Sequence, residues 1–235
     1  MIDTQTRKLI YDITNAFWNE HVANEAFCEI TQGKEIGHHI ADYVDDRTTA
    51  KLKTESCINA KHETNVKGET IVRSMGDIWI KSNGIYNPVN IKTGICSSGQ
   101  PNIVSLTKLL DRLLRHQIDS YDLLIIKFTL TDKQADFNVY FVDLLDYLDF
   151  ITFDMGPGQV MLRENDFYNA CDSNYEPPVL TLSQKIGKCM DIMEQGYQSL
   201  IRNRATRMNR LRRQIDLFAQ SNDFTVTQTD IYFNG

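Results

Sequence analysis

Apolar and polar residues alternate in two neighbouring stretches, and the rest of the chain is read outward from them. In Asp77-Ile78-Trp79-Ile80-Lys81, Ile78 and Ile80 are separated by Trp79. In Asn87-Pro88-Val89-Asn90-Ile91-Lys92, Val89 and Ile91 share one face while Asn90 and Lys92 share the other, because strand side chains have a period of two. Between the stretches, Lys81-Ser82-Asn83-Gly84 carries residues that tolerate positive φ. The pattern predicts a β-hairpin with Asp77 opening its first strand.

Helical spacing appears elsewhere. Leu9, Ile10, Ile13 and Phe17 predict an amphipathic helix over 5–20, and Ile36, Ile40, Tyr43 and Val44 a second over 30–47. Residues 51–74 are polar, with Thr70-Ile71-Val72 reading as a strand that leads into the hairpin. Residues 94–102 form a loop of small and amide residues, and 103–118 a helix that Asn102 would cap. Strands follow at 122–130, 137–145, 150–153 and 159–162, the last two flanking Gly156-Pro157-Gly158. Three–four spacing returns over 181–220 as one long helix or two in succession. The expected fold is α/β: a mixed central sheet from strands near 70–92 and 122–130, flanked by helices, with a C-terminal helical region. It is read as a single domain over 1–235, with a core at about 30–165 and a basic region at 178–220.

Composition narrows the class. Apolar content of 42% with 24% charged residues suits an ordinary globular chain. No run of about 18 apolar residues suggests a membrane span, and Met1–Lys8 has no signal-peptide pattern, so a cytoplasmic protein is expected. Cys28, Cys57, Cys96, Cys171 and Cys189 lack CxxC spacing and read as free thiols. The net charge of −6 speaks against nucleic acid until its distribution is considered. Arg202, Arg204, Arg207, Arg210, Arg212 and Arg213 lie in a stretch without a single acid. Phosphate is the obvious partner for such a face.

The hairpin brings together groups with a chemical use. Asp77 offers a carboxylate oxygen, Asn90 an amide oxygen and Ile91 a backbone carbonyl, which suit a hard cation such as Mg²⁺. Lys92 stands beside them and can position or deprotonate a water. Metal and positioned water are what phosphodiester hydrolysis needs. In the loop, Ser97 and Ser98 are small, and Gln100 and Asn102 carry the donor–acceptor pair that reads adenine edges.

An acidic residue, a turn, then a carboxylate-x-lysine on the next strand is the signature of the PD-(D/E)xK nuclease superfamily, which this stretch resembles. Asn90-Ile91-Lys92-Thr93-Gly94, Gln100–Ser105, the strand Leu123–Leu130 and Gly156–Val160 follow in an order similar to that of blunt-cutting type II restriction endonucleases of the HpaI, HincII and EcoRV kind. The resemblance covers roughly 30–165. It implies a Mg²⁺-dependent homodimer of prokaryotic origin cutting palindromic double-stranded DNA, leaving blunt ends with 5′-phosphates. Asp77, Asn90 and Lys92 would be catalytic. Asp77, Asn90 and Ile91 would hold the metal, with Glu35 as a further acid from a helix. Ser97, Ser98, Gln100, Asn102, Arg202, Arg204, Arg207 and Arg210 would meet DNA. Asn90 departs from the family, which has Asp or Glu there, and brings no charge. A repair or branched-DNA nuclease of the same superfamily, and a DNA-binding protein without catalysis, are the competing expectations.

Overall fold

The computed structural model describes residues 1–22, 36–72, 74–95, 102–130, 135–156, 158–173 and 175–220. They form two units, Met1–Met193 and Glu194–Gly235. The first is mixed α/β, as the periodicities predict.

Helix α1 (Thr4–Val22) starts where the Asp3 carboxylate accepts from the Thr6 N–H and hydroxyl, each at 2.8 Å. It buries Ile10, Thr14 and Trp18, one row at i, i+4. Helix α2 (Ile36–Thr54) extends seven residues past the expected end. The Trp18 indole donates to Thr48 Oγ1 at 3.0 Å and ties the two helices together.

The hairpin forms as predicted. Strand β2 (Ile78–Ser82) pairs antiparallel with β3 (Ile85–Ile95), Ile78 opposite Val89. Asn83 and Gly84 both have positive φ, 50° and 85°, the geometry of a type I′ turn that matches strand twist. Asp77 lies one residue before β2, its N–H donating to the Val89 carbonyl at 3.0 Å. The five-stranded sheet runs β1-β2-β3-β5-β6, with β1 at Ala60–Lys61, β5 at Asp122–Leu130 and β6 at Ala135–Asp143. Only β3 and β5 are parallel, so the chain crosses over between them. That crossover contains β4 (Asn102–Ser105) and α3 (Leu106–Leu114). Strand β4 joins β8 (Gln159–Leu162) and β7 (Ile151–Asp154) in a second, three-stranded sheet.

Period two sorts the core into two layers. Ile78, Ile80, Val89, Ile91, Leu124 and Ile126 pack with Ile10, Trp18, Val44 and Leu52 of α1 and α2. On the opposite face, Trp79, Leu123 and Ile125 pack with Leu106, Leu109, Leu110 and Leu113 of α3 and with Phe167 of α4 (Glu164–Asp172). The charged groups of the interior are paired: Arg7 with Asp122, and Lys185 with Asp143 and Asp146.

Three expectations are corrected. Thr70-Ile71-Val72 is not a strand: Thr70 makes one isolated bridge to Thr64, and Val72 is fully exposed. The predicted helix over 103–118 is a strand for its first residues. Its cap is Ser105, whose hydroxyl accepts from Lys108 N–H at 3.5 Å, and not the exposed Asn102 in β4. Helix α4 was missed altogether.

The described part of the second unit is helical, the C-terminal segment of α5 (Leu182–Gln220). One helix, rather than two in succession, accounts for the 181–220 pattern. Arg202, Arg204, Arg207, Arg210, Arg212 and Arg213 are all exposed on it. No helix among the described residues is long and apolar enough to cross a membrane.

Candidate active site

The Asp77 carboxylate is held in place by backbone. Its Oδ2 accepts from the Ile91 N–H at 2.7 Å, replacing the ladder bond that β2 would have made one residue earlier in its course. A strand residue directs its N–H and C=O to the same edge, so the Ile91 carbonyl also points to the edge where Asp77 sits. Gly76 makes this approach possible. A Cβ there would meet Pro88 Cβ at 2.9 Å and the Val89 backbone at 3.0 Å. Asp77 is exposed and lines a cleft of about 240 Å³ with His62, Glu63, Ser74 and Gly76. His62 Nδ1 lies 3.1 Å from the Asp77 carbonyl. A carbonyl only accepts, so Nδ1 carries the hydrogen and Nε2 is the other, accepting nitrogen in the neutral ring.

Asn90 is buried on the opposite side of β3 from Ile91. Its Nδ2 donates to the Ile103 carbonyl at 3.0 Å and to the Tyr121 hydroxyl at 2.9 Å. Tyr121 passes its own hydrogen to the Met75 carbonyl at 2.7 Å. Burial pushes the Tyr121 phenol far up, the nearby Asp77 charge adding to the effect against the Asn90 hydrogen bond. This chain of bonds fixes which end of the amide is nitrogen, and it leaves Asn90 Oδ1 buried without a hydrogen-bond partner. Asn90 lines a second cleft, of about 310 Å³, with Met75, Ser105, Lys108 and Gln159. Ser74 belongs to both clefts.

Lys92, two residues on, is half-buried on the Asn90 face. Its charge reaches an acid that the sequence reading passed over. Asp45 of α2 accepts from Thr93 Oγ1 at 2.9 Å. Burial raises its carboxyl to about 7, against the lowering effects of Thr93 and Lys92 and with those of Asp77 and Asp42. Asp45, Asp77 and Lys92 therefore share one electrostatic neighbourhood. The signal available in sequence was the acid run Asp42, Asp45, Asp46 on a helix whose Val44 turns inward. Glu35, Ser97, Ser98 and Gln100 lie outside the described residues. The arginines of α5 belong to the second unit.

The sign of the Asp45 effect gives a prediction. An ordinary aspartate titrates near 4, and folded Asp45 near 7. The folded chain thus holds this proton more tightly than the unfolded one. The resulting stability is full below the ordinary range and is lost as pH rises through about 7. In chelator, the thermal midpoint is expected to fall as pH rises over that window, and Asp45→Asn to flatten the fall. Burial also raises Asp122 and Asp143, so some slope remains. A variant with the wild-type slope would show that Asp45 is solvated.

The oxygens around the hairpin are the Asp77 carboxylate and Ile91 carbonyl at the strand edge, the Asp45 carboxylate on the α2 face and the Asn90 amide oxygen on the opposite face. Among the described residues no three His, Cys, Asp or Glu gather as a metal-holding group. Carboxylate and carbonyl oxygens of this kind are donors a hard cation takes, one or two carboxylates with several waters kept. No family model matches the chain and no curated protein matches it, so the chemistry of this site is read from its own residues.

Proposed function

We propose that the chain is a Mg²⁺-dependent endonuclease that hydrolyses double-stranded DNA, in the manner of a type II restriction enzyme acting as a homodimer on a palindromic site. The observation that carries this reading is the β2–β3 hairpin. Its backbone holds the Asp77 carboxylate against the Ile91 N–H, period two sets Asn90 and Lys92 just beyond, and Asp45 stands within the field of Asp77 and Lys92. Asp77 and the Ile91 carbonyl at the strand edge, with Asn90 Oδ1 from the face opposite α2, are the groups that would hold the ion, while Asp45 acts on them by charge from the α2 face. When bound, Mg²⁺ neutralises phosphate charge and acidifies a water. Lys92 orients that water toward phosphorus. Its oxygen would form the new P–O bond while the water gives up a proton to solvent, the bond to the 3′ oxygen would break, and the departing oxygen would take up a proton from solvent, leaving a 5′-phosphate and a 3′-hydroxyl.

Digestion of a sequenced plasmid with the purified protein and Mg²⁺ tests this reading. Discrete bands are expected from wild type, and none from Asp77→Asn, which keeps an oxygen for the Ile91 N–H but removes the charge. A smear or structure-selective cuts would favour a repair or branched-DNA nuclease. Intact plasmid with retained DNA binding would leave a binding protein without catalysis.

The exposed arginines of α5 supply the expected grip on phosphate. Neutralising them in pairs should weaken binding to all sequences alike. Each lost contact should reduce the slope of log K against log salt by about 0.9, as read from binding titrations at several salt concentrations. An unchanged slope would assign that face to another partner.

A further inference from the structure

Lysines and arginines drawn into a fold are ordinarily paired with carboxylates, and most of those here are. Among the described residues, Arg7, Lys51, Arg112, Lys185 and Lys188 are buried or half-buried, and each has a carboxylate within ion-pair distance. The two other described cations at that depth, Lys92 and Lys127, have none. Burial raises the Glu164 carboxyl and the Lys127 charge lowers it, as Lys92 does for Asp45, yet neither acid closes to an ion pair.

The two unpaired lysines are neighbours. Strands β3 and β5 are parallel, with Lys92 beside Ile125 and Gly94 beside Lys127. Lys127 therefore lies on the Lys92 face, one strand over and about 7 Å further along. Its ammonium sits 4.0 Å from the centre of the Tyr168 ring, a cation–π contact that restrains the nitrogen and leaves its charge uncompensated. Tyr168 comes from α4, and its hydroxyl lies over Gly94, where a Cβ would meet it at 2.7 Å. Only glycine at 94 leaves that hydroxyl its place beside the two lysines.

We propose that Lys127 and the Tyr168 hydroxyl bind a backbone phosphate of the DNA strand being cut, one linkage away from the bond that Lys92 serves. A polymer with a negative charge on every link meets both ammonium groups at once, and a phenol hydroxyl donates to the same phosphate oxygens. Lys127 is a positioning residue: it sets the register of the strand without touching the reacting atoms. The proposal rests on the nuclease reading, and deepens it by requiring a phosphate beside the bond that is cut.

The test is binding of duplex DNA by the full chain in calcium, titrated at several salt concentrations. Lys127→Met should weaken binding roughly tenfold and lower the slope of log K against log salt by about 0.9, while Lys127→Arg keeps both near wild type. Tyr168→Phe should weaken binding roughly threefold at unchanged slope, since it removes a donor and no charge. A Lys127→Met chain with the wild-type slope, or a Lys127→Arg chain with the reduced one, would overturn the proposal. If Lys127 served only to hold α4 through Tyr168, Lys127→Met would melt earlier and keep the slope. Inorganic phosphate, followed by thermal shift, controls for the source of the anion: stabilisation of wild type beyond Lys127→Met, with the DNA slope unchanged, would make a free anion the ligand and end the DNA assignment. Position is read with single neutral methylphosphonate linkages placed around the cut of a duplex that wild type cleaves. The linkage beside the cut should raise KM for wild type and not for Lys127→Met; a rise for both at every linkage would refute the assignment. Binding and cutting are read apart. A chain that binds with the expected slopes and leaves plasmid intact ends the nuclease reading alone, and one that cuts with an unchanged slope ends this proposal alone.

Discussion

Lys92→Ala is expected to lose magnesium-dependent cleavage by roughly a thousandfold, the scale of removing one well-placed electrostatic group from an active site, while binding duplex DNA almost as well as wild type. The lysine is half-buried on the same face of β3 as Asn90, and under the proposed reaction its charge serves the attacking water rather than the grip on the duplex. Its loss has a second effect. The Lys92 charge holds the Asp45 carboxyl down against burial. Without it Asp45 keeps its proton to higher pH and competes less well for a cation. Residual cleavage by the variant should therefore recover as pH is raised, more steeply than in wild type. Single-turnover cleavage over a pH series, with binding measured in parallel in calcium, reads both effects. A variant that cuts at near the wild-type rate would place the active site elsewhere.

Asn90→Asp is expected to unfold early in chelator. The amide nitrogen makes two buried donations, to Ile103 and Tyr121, and aspartate can make neither. A carboxylate would instead face the Ile103 carbonyl in a buried site. A loss of about 3 kcal/mol is expected from breaking such a pair of bonds and burying a charge, or a fall of roughly 6–12 °C in Tm for a chain of this size. Magnesium should then separate the two roles of this residue. If the side-chain oxygen meets the ion, the variant gains more thermal stability from magnesium than wild type does. Equal gains in thermal melts with and without magnesium would remove Asn90 from the oxygen set and leave it a structural residue.

The hairpin was legible in sequence because both of its signals are local: alternation over two short runs, and an Asn-Gly pair that accepts positive φ. The two-layered core followed from the same alternation. Other elements were misread where one pattern serves two structures. Ile103 and Leu106 sit at helical spacing, yet four residues of strand precede the helix, too few for period two to show. Thr70-Ile71-Val72 has strand propensity but nothing to pack against, and Val72 stays in solvent. Asp45 was hidden for a different reason. A single acid on a helix acquires its meaning only when α2 docks on β3 and sets it beside Thr93. The double duty of the Asn90 amide, with nitrogen committed and oxygen left over, likewise depends on Tyr121 and Ile103, which meet it only in the folded chain.

The type I′ turn at Asn83-Gly84 has a consequence for the quality of any preparation. Slipping β3 by one residue against β2 would carry Asn90 and Lys92 to the layer beneath α1 and α2 and drive Val89 and Ile91 out of it. Such a chain would bury a lysine beneath α1 and α2 and break the Asn90 bonds to Ile103 and Tyr121 at once, so it does not persist as a folded species. Correct chemistry and correct folding are thus sorted by the same event. Molecules that pass a thermal or proteolytic screen should all carry an intact site, and specific activity per folded molecule should be constant from batch to batch, whatever the yield.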